Sequence, residues 1–257
     1  MKIKIIPALY DNYIFLLYDL TQKVAAVVDP AESSPVFQSL RELDLKLTAI
    51  FNTHHHGDHI GGNLKLKEAF PELRIYAGGH DRGRIPGQEI FLEQGERIFF
   101  TDREAQVYYV PGHTQGHIAY YFPPHSEGGA GELFCGDTMF AGGCGKLLEG
   151  TPQEMVNSLE QLRQLPGNTN IWCAHEYTLK NLEFALTLEP NNDVLKKRFS
   201  QAQRTRLDGQ PTIPSLLKLE KQTNPFLRWD QPTIQKITNL KEPAKVFAKI
   251  RQMKDLF

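Results

Sequence analysis

Residues 47–62 read LTAIFNTHHHGDHIGG, an apolar run that passes directly into four histidines and an aspartate. The apolar residues 47–51 predict a buried β-strand, and the apolar positions 64, 66 and 69 beyond the polar loop predict a helix. Loops that follow buried strands lie at the edge of a sheet, where binding and catalytic groups are commonly placed. This stretch therefore predicts an α/β fold with a functional site at the end of the strand.

The loop itself concentrates four imidazoles and one carboxylate within residues 54–59. Buried imidazoles need hydrogen-bond partners and protonated ones repel one another, whereas a divalent cation satisfies several neutral rings at once. Alternate spacing should turn His55 away from His54 and His56, so His55 is left out of the site. The alternative, in which Asp58 is a helix N-cap and the histidines form an exposed polar loop, does not explain so dense a cluster. We interpret the loop as the beginning of a metal site.

The composition describes an ordinary globular chain. Its 257 residues are 40% hydrophobic and 23% charged, enough for one large domain or for a domain with a smaller companion. No apolar stretch approaches the ~20 residues that a membrane span needs, and the apolar N-terminal run ends at Pro7 without a cleavage site. Cys135, Cys144 and Cys173 are odd in number and lack C-x-x-C spacing, so we expect neither disulfides nor a cysteine zinc site. These features predict a soluble cytoplasmic protein whose thiols are small buried hydrophobes.

Strand and helix patterns divide the chain near residue 175. Up to there, short apolar runs alternate with turn signals, and helices open at Ser34 and at the capping-box sequence TPQE of residues 151–154. Beyond residue 176, helical periodicity and prolines replace the strands. We therefore predict a strand-rich α/β domain of residues 1–175 and a small helical domain of residues 176–257.

Charge is divided along the same line. Residues 1–175 contain 14 Lys and Arg against 21 Asp and Glu, whereas residues 176–257 contain 15 against 9. The basic C-terminal region lacks Lys/Arg blocks interleaved with aromatic residues, and the isoelectric point of about 6.8 is not that of a nucleic-acid binder. We expect no nucleic-acid partner, and a small anionic ligand or a solvated helix face accounts for the basic charge.

Three more polar side chains follow predicted strands. His113 lies in PGHTQGH (residues 111–117), Asp137 in CGDT (135–138) and His175 in CAHE (173–176). Each alone is compatible with a surface histidine or a turn aspartate. Strand ends of a layered α/β domain converge on one edge, however, where these residues and the loop at 54–59 would supply five imidazoles and two carboxylates. Seven ligands exceed one tetrahedral zinc ion and suit two metals that share a bridging group.

The order THHHGDH (residues 53–59), His113, Asp137 and His175 resembles the metallo-β-lactamase superfamily. Within it, the chain is similar over its full length to the glyoxalase II family, the hydroxyacylglutathione hydrolases. The closer similarity rests on five narrower motifs: GDTMFAGGCGK (136–146), EGT (149–151), HEYT (175–178), NPFLR (224–228) and RQMKD (251–255). The resemblance implies a four-layer αββα sandwich with a smaller all-helical domain at its C-terminal end.

The resemblance also implies a set of metal ligands. His54, His56 and His113 would hold one ion, Asp58, His59 and His175 would hold the second, and Asp137 would bridge both. Of these, Asp58, His59 and Asp137 would be the catalytic residues. Zinc is the expected metal at both positions, with iron or manganese as alternatives that the same ligands accept. Asp29 matches an aspartate near the family's site, where it would orient a ligand, although it also suits an ordinary turn before Pro30.

Five further positions would bind the glutathione moiety, namely Lys146, Tyr177, Asn181, Arg251 and Lys254. Arg251 and Lys254 are three residues apart on the last predicted helix and share a face, as gripping a carboxylate requires. Without the resemblance, a solvated helix face would be the preferred explanation for this pair. Leu148 stands where some family members present a tyrosine, so that contact with glutathione is missing here.

The implied reaction is hydrolysis of S-(2-hydroxyacyl)glutathione, typified by S-D-lactoylglutathione, to glutathione and a 2-hydroxy acid such as D-lactate. Hydroxide that bridges the two cations would attack the thioester carbonyl, and the reaction would be the second step of methylglyoxal detoxification. Such an enzyme needs only its small-molecule thioester, and we expect it to act as a monomer.

Several rival functions share the metal loop. A β-lactamase or lactonase would not need the basic helical region, and a glutathione persulfide dioxygenase would use a single iron without Asp58. A nuclease of the superfamily would need an extended basic surface. A non-catalytic, metal-stabilised binding module would be expected to have lost ligands, and none is lost.

Overall fold

The apolar runs of the first hundred residues form a six-stranded sheet, sheet A, in the computed structural model, which describes residues 1–257. Its strands, in both chain and spatial order, are β1 (Lys2–Ala8), β2 (Asn12–Asp19), β3 (Val24–Val28), β4 (Lys46–Phe51), β5 (Arg74–Gly78) and β6 (Ile90–Leu92). Strands β1 to β3 are antiparallel neighbours, and β3 to β6 run parallel. The central strands are buried on both faces, as their continuous apolar runs predict.

A second six-stranded sheet, sheet B, packs against the first. Its spatial order is β14 (Ser215–Leu216), β13 (Asn170–Cys173), β10 (Glu132–Gly136), β9 (Ile118–Phe122), β8 (Arg103–Tyr109) and β7 (Arg97–Phe100). Only β10 and β13 are parallel neighbours. A small hairpin of β11 (Met139–Phe140) and β12 (Gly143–Cys144) extends beyond β10.

Nine α-helices complete the chain. They are α1 (Ser33–Leu43), α2 (Gly57–Ile60), α3 (Asn63–Ala69), α4 (Pro152–Arg163), α5 (Thr178–Leu188), α6 (Asp193–Leu207), α7 (Leu217–Thr223), α8 (Pro232–Thr238) and α9 (Pro243–Asp255). The predicted capping box starts α4, where Thr151 accepts from the backbone N–H of Glu154 and the Glu154 carboxylate accepts from the N–H of Thr151. None of these helices combines the length and apolar character that a bilayer crossing requires.

Two apolar cores hold the layers together. Phe15, Phe51, Tyr120 and Phe134 belong to the larger core, which lies between the two sheets and continues onto α4 and α9. The other core joins the outer face of sheet A to α1 and α3. Complete burial of one such apolar side chain contributes about 1.5–3 kcal/mol. The result is the expected order of helix, sheet, sheet and helix, followed by a helical C-terminal region.

Some elements were not expected from the sequence. Strands β6, β7 and β14 and helix α8 have at most seven residues each, too short for a clear periodicity. The C-terminal region is helical apart from β14, two residues that pair antiparallel with β13. This pairing attaches the region directly to sheet B.

The two sheets meet at one edge. Strands β3 and β4 of sheet A and β10 and β13 of sheet B end there, and the antiparallel β2 and β9 begin there. Backbone hydrogen bonds join the sheets at this edge, from Tyr13 N to Ala174 O (2.7 Å) and from Glu176 N to Asp11 O (2.9 Å). All the polar loops singled out in the sequence open at this edge.

Candidate metal centre

Three imidazoles from two loops form the first group of candidate metal ligands. His54 and His56 follow β4, and His113 lies between β8 and β9. His56 Nδ1 lies 3.0 Å from His54 Nε2 and 3.1 Å from His113 Nε2. Burial lowers the pKa of His54 and lowers that of His56 to about 4, so both rings are neutral at pH 7. Facing lone pairs of neutral rings repel unless a proton or a cation lies between them, and a cation satisfies all three nitrogens at once.

A second group gathers around the start of α2. Asp58 Oδ2 lies 3.4 Å from His175 Nε2 and 3.6 Å from His59 Nε2. His59 and His175 are buried, and His59 Nε2 has no hydrogen-bond partner. An orphaned, buried nitrogen next to a carboxylate is the arrangement that a metal ion would complete.

Asp137 lies between the two groups. It follows β10 at Gly136, whose φ of +46° turns the chain toward the cluster. Asp137 Oδ2 is 3.4 Å from His113 Nε2, while Oδ1 is 3.4 Å from His175 Nε2 and 3.5 Å from His59 Nε2. Oδ1 is buried without a hydrogen-bond partner. One oxygen of this carboxylate therefore faces each group.

The charges of the site also suit cations. The hydrogen bond with His175 lowers the pKa of Asp58, and the imidazoles around Asp137 lower its pKa although burial opposes this. Burial would lower the pKa of His175, but the carboxylates of Asp137 and Asp58, each 3.4 Å from its Nε2, raise it to about 11. Carboxylates whose negative charge stabilises a buried imidazolium can stabilise a divalent metal ion in the same place. The donors present thus fit two such ions.

Three of the clustered imidazoles contact other groups of the protein through Nδ1. Asp29 Oδ2 lies 3.0 Å from His59 Nδ1, Asp11 Oδ1 lies 2.8 Å from His175 Nδ1, and the backbone O of Lys146 lies 2.8 Å from His113 Nδ1. Each contact occupies Nδ1 and leaves Nε2 directed into the cluster. Asp29 was expected beside the site, and its contact with His59 confirms this.

Asp11 was missed by the sequence analysis, as was Asn12, whose amide donates to Asp58 Oδ2 at 3.1 Å. A usable signal existed. Strand β2 is antiparallel to β3, so residues just before β2 lie at the same edge as residues just after β3. Polar residues that precede an antiparallel strand can therefore join a site formed by the ends of its neighbours.

His55 lies outside the cluster, as its alternate spacing predicted. Its Nδ1 is 3.1 Å from Asp81 Oδ1 and its Nε2 is 2.6 Å from Arg84 Nη2. Arg84 also pairs with Glu149, which accepts from the backbone N–H of Gln115 at 2.8 Å. This outer network ties the loops that carry His54, His56 and His113 to one another.

The residues predicted to bind substrate lie on one side of the cluster. Tyr177 stacks on His175, with ring centroids 4.8 Å apart and planes at 5°. Asn181 is buried and donates to Ala141 O at 3.1 Å, while Lys254 donates to Lys180 O at 3.0 Å. The side chain of Lys146, just after β12, is exposed.

Arg251 is buried, whereas the sequence alone is compatible with an exposed position on the last helix. It is 7% exposed and donates to Cys144 O at 3.2 Å, and its Nε and Nη2 pair with Asp255 at 3.1 and 2.9 Å. Its guanidinium lies 5.0 Å from the ring centre of Phe226. Arg251 therefore connects α9 to the β11–β12 hairpin and already holds a carboxylate.

Asn224 holds the same hairpin from the other side. Its amide donates to Phe140 O at 3.2 Å and to Gly143 O at 2.9 Å. Arg228, at the end of the NPFLR motif, makes a two-point pair with Glu189 at 2.8 and 2.9 Å. The motif thus anchors the helical region to the segment that leads from Asp137 to Lys146.

A cavity of about 1320 Å³ adjoins the cluster on the side of Asp11 and Tyr177. The turn between β1 and β2, the start of α1 and the loop after α6 line it. Tyr10, at the tip of that turn, is 98% exposed. The cavity leaves open space beside the partners of His175 and Asp58.

Known families match the chain in two contiguous parts. Residues 11–175 match the metallo-beta-lactamase superfamily, and residues 176–257 match the hydroxyacylglutathione hydrolase C-terminus. The chain is 60% identical over 257 residues to the hydroxyacylglutathione hydrolase of Rippkaea orientalis and 58% identical over 257 residues to that of Trichormus variabilis. Both alignments cover 100% of each chain.

Solved structures share the fold. ETHE1 from Myxococcus xanthus superposes with a TM-score of 0.66 at 22% identity, covering 100% of this chain and 99% of that one. The BLEG-1 B3 metallo-beta-lactamase gives 0.65 at 20% identity, covering 88% of this chain and 99% of that one. TTHA1623, solved in a di-iron-bound form, gives 0.58 at 25% identity, covering 86% and 98%.

Proposed function

The chain belongs to the hydroxyacylglutathione hydrolase family of the metallo-β-lactamase superfamily and has that family's hydrolase activity, and we propose that the cluster around Asp137 carries out this reaction with two divalent cations. The substrate class is the S-(2-hydroxyacyl)glutathione thioesters, with S-D-lactoylglutathione as the typical member. The products are glutathione and a 2-hydroxy acid.

The position of Asp137 is the observation that supports this proposal most. Its two oxygens face different groups of ligands, at 3.4 Å from His113 on one side and from His175 on the other. A carboxylate so placed suits a bridge between two ions. The proposed ligands of one ion are His54, His56 and His113, and those of the other are Asp58, His59 and His175.

When bound, two divalent cations lower the pKa of water from about 15.7 toward about 7 and polarise the thioester carbonyl. The chain supplies the geometry. Asp29 and Asp11 keep a proton on Nδ1 of His59 and of His175, so the lone pair on each Nε2 points inward. Asp58 and Asp137 would supply the negative charge that holds the two cations beside the histidines. The leaving thiolate has an ordinary pKa of about 8.5 and needs little protonation.

We propose that the basic side chains beside the β11–β12 hairpin bind the substrate. Lys146 and Lys254 would meet the carboxylates of the glutathione moiety, and Tyr177 and Asn181 would flank its peptide backbone. Arg251 already pairs with Asp255, whose side chain is 44% exposed. A substrate carboxylate would take the place of Asp255 on the same guanidinium fork.

We expect zinc as the metal pair, with iron or manganese accepted by the same ligands. The di-iron-bound form of TTHA1623 supports two metals in this fold without deciding which metal this chain takes. The buried free thiols suit a reducing cytoplasm. A monomer would suffice for the proposed reaction, since every proposed ligand comes from one chain.

The test is a thioester assay on metal-loaded protein. Protein purified with two equivalents of zinc should release free thiol from S-D-lactoylglutathione. A lactone and a glutathione persulfide serve as alternative substrates. Turnover of either alternative, without turnover of the thioester, would overturn the proposed substrate.

A further inference from the structure

One buried histidine beside the cluster has no part in the ligand set. His117 lies just before β9 and is completely buried. Its ring stacks on that of His54, with centroids 4.6 Å apart and planes at 17°. A stacked neighbour fixes the plane of a ligand ring, so His117 limits how His54 can turn.

The two ring nitrogens of His117 are both occupied by the protein. Nε2 accepts from the backbone N–H of Asp137 at 3.1 Å. Nδ1 lies 3.1 Å from Ile118 O and 3.2 Å from Thr138 Oγ1. Because Nε2 must be an acceptor, the proton sits on Nδ1, and no lone pair remains for a metal.

The chain turn at Gly136 makes this contact specific. Its φ of +46° favours glycine, and a Cβ there would lie 2.3 Å from Thr53 Oγ1 and 3.0 Å from His117 Cε1. The turn brings the N–H of Asp137 onto His117 and directs the carboxylate the other way, into the cluster. His117 is thus wedged between the residue that starts the first ligand loop and the proposed bridging residue.

We infer that His117 is a positioning residue for the metal pair, which holds the ring plane of His54 and the backbone of Asp137 at the same time. The inference rests on the ligand set of the proposed function.

Two substitutions separate stacking from hydrogen bonding. His117→Phe keeps a flat ring against His54 but has no acceptor for the N–H of Asp137. His117→Gln can place its amide oxygen near the position of Nε2 but has no ring. Leu40→Ala, in the core between sheet A and α1, is the control for lost stability away from the site.

Zinc affinity is measured by competition with a chromophoric chelator, and the site geometry by the visible spectrum of the cobalt-substituted protein. We expect His117→Phe to bind zinc about 10- to 100-fold more weakly than the unchanged protein, the usual effect of losing a partner behind a ligand. Its cobalt spectrum should change as well. His117→Gln restores an acceptor but not the stacked ring, so its zinc affinity should lie between those of His117→Phe and the unchanged protein. Leu40→Ala should leave both readouts unchanged.

The inference is overturned if either His117→Phe or His117→Gln binds zinc as tightly as the unchanged protein. Should His117→Phe fail to fold, His117→Met tests loss of the acceptor with a more adaptable side chain. The unchanged protein separates this inference from the proposed function. If it takes up fewer than two equivalents of zinc, the ligand set itself is wrong.

Discussion

At the scale of single residues, Asp58 distinguishes a two-metal site from a one-metal site. Its carboxylate lies 3.6 Å from His59 Nε2 and 3.4 Å from His175 Nε2, the proposed ligands of the second ion. We expect Asp58→Ala to reduce bound zinc from two equivalents to about one and to lower kcat at least 100-fold, because the second group then lacks its anionic ligand. Metal analysis and the thioester assay measure both. Two retained equivalents with an unchanged kcat would refute the two-metal assignment.

Asp11 is predicted to act through His175. Asp11→Ala removes the partner of His175 Nδ1, and zinc affinity should fall about 10- to 100-fold. Asp19→Ala is a matched control, since Asp19 lies at the other end of β2 and accepts only from the N–H groups of Thr21 and Gln22. Equal zinc affinities in the two variants would show that Asp11 has no role in the site.

We predict that kcat/KM depends on pH through the charge of Lys254. Its side chain is half-buried, and burial together with the nearby Arg251 lowers its pKa to about 8. Lys254 is therefore charged below pH 8 and neutral above it. Since kcat/KM reports groups of the free enzyme, kcat/KM should fall as the pH rises through about 8.

Lys254→Arg provides the control, because arginine stays charged throughout this range. The fall near pH 8 should disappear in this variant even if its overall kcat/KM is lower. A fall that persists in Lys254→Arg would assign the titration to another group.

That the proposed metal ligands lie together could be predicted from sequence, because each follows a strand and strand ends meet at one edge. His117 and Asp11 could not be predicted in this way. Each directly precedes a strand, and its role depends on which proposed ligand it contacts in the folded chain. The sequence shows that Arg251 is charged but not that it is buried. Its burial depends on contacts with Cys144 and Phe226, which lie in other segments of the chain.

At the scale of elements, the β11–β12 hairpin should depend on Asn224. Asn224→Ala leaves the carbonyls of Phe140 and Gly143 without this donor, which costs about 1–3 kcal/mol. The loosened hairpin should also raise KM several-fold, because it leads to Lys146. Thermal unfolding and steady-state kinetics measure the two effects.

Asn192→Ala is the matched control for this change. Asn192 caps α6 by accepting from the N–H of Leu195 at 3.1 Å, and its loss costs about 1 kcal/mol. KM should stay unchanged in this variant. A similar rise in KM in both variants would mean that general loss of stability, rather than the hairpin, affects substrate binding.

Elements were predicted well where a pattern was long or carried a specific start signal. The capping box fixed the beginning of α4, and the apolar runs located the central strands. Strand β14 has two residues, one of them polar, and exists only because β13 offers an open edge. Such an element depends on its partner strand and not on local propensity.

At the scale of the whole molecule, the larger core contains residues from both sides of the predicted division at residue 175. Phe226, Phe247 and Ile250 share it with Leu159 and Trp172. Sequence patterns report local periodicity, so they separate a strand-rich part from a helical part. They do not report that the two parts bury their side chains together.

The shared core predicts one cooperative unfolding transition. The chain has two tryptophans, and both are buried in this core, Trp172 in β13 and Trp229 in the helical region. Fluorescence of the variants Trp172→Phe and Trp229→Phe should give urea midpoints that coincide with that from circular dichroism of the same variant. Fluorescence and circular dichroism midpoints that separate would show two independently folding units.

The three cysteines have a consequence for an enzyme that releases a thiol at every turnover. All three are buried and unpaired, and burial raises the pKa of Cys144 to about 11 and that of Cys173 to about 12. Such sulfurs are neither accessible nor ionised, so they do not form mixed disulfides with oxidised product. We therefore expect a thiol-specific dye added to the native enzyme to react with the product thiol and not with the protein.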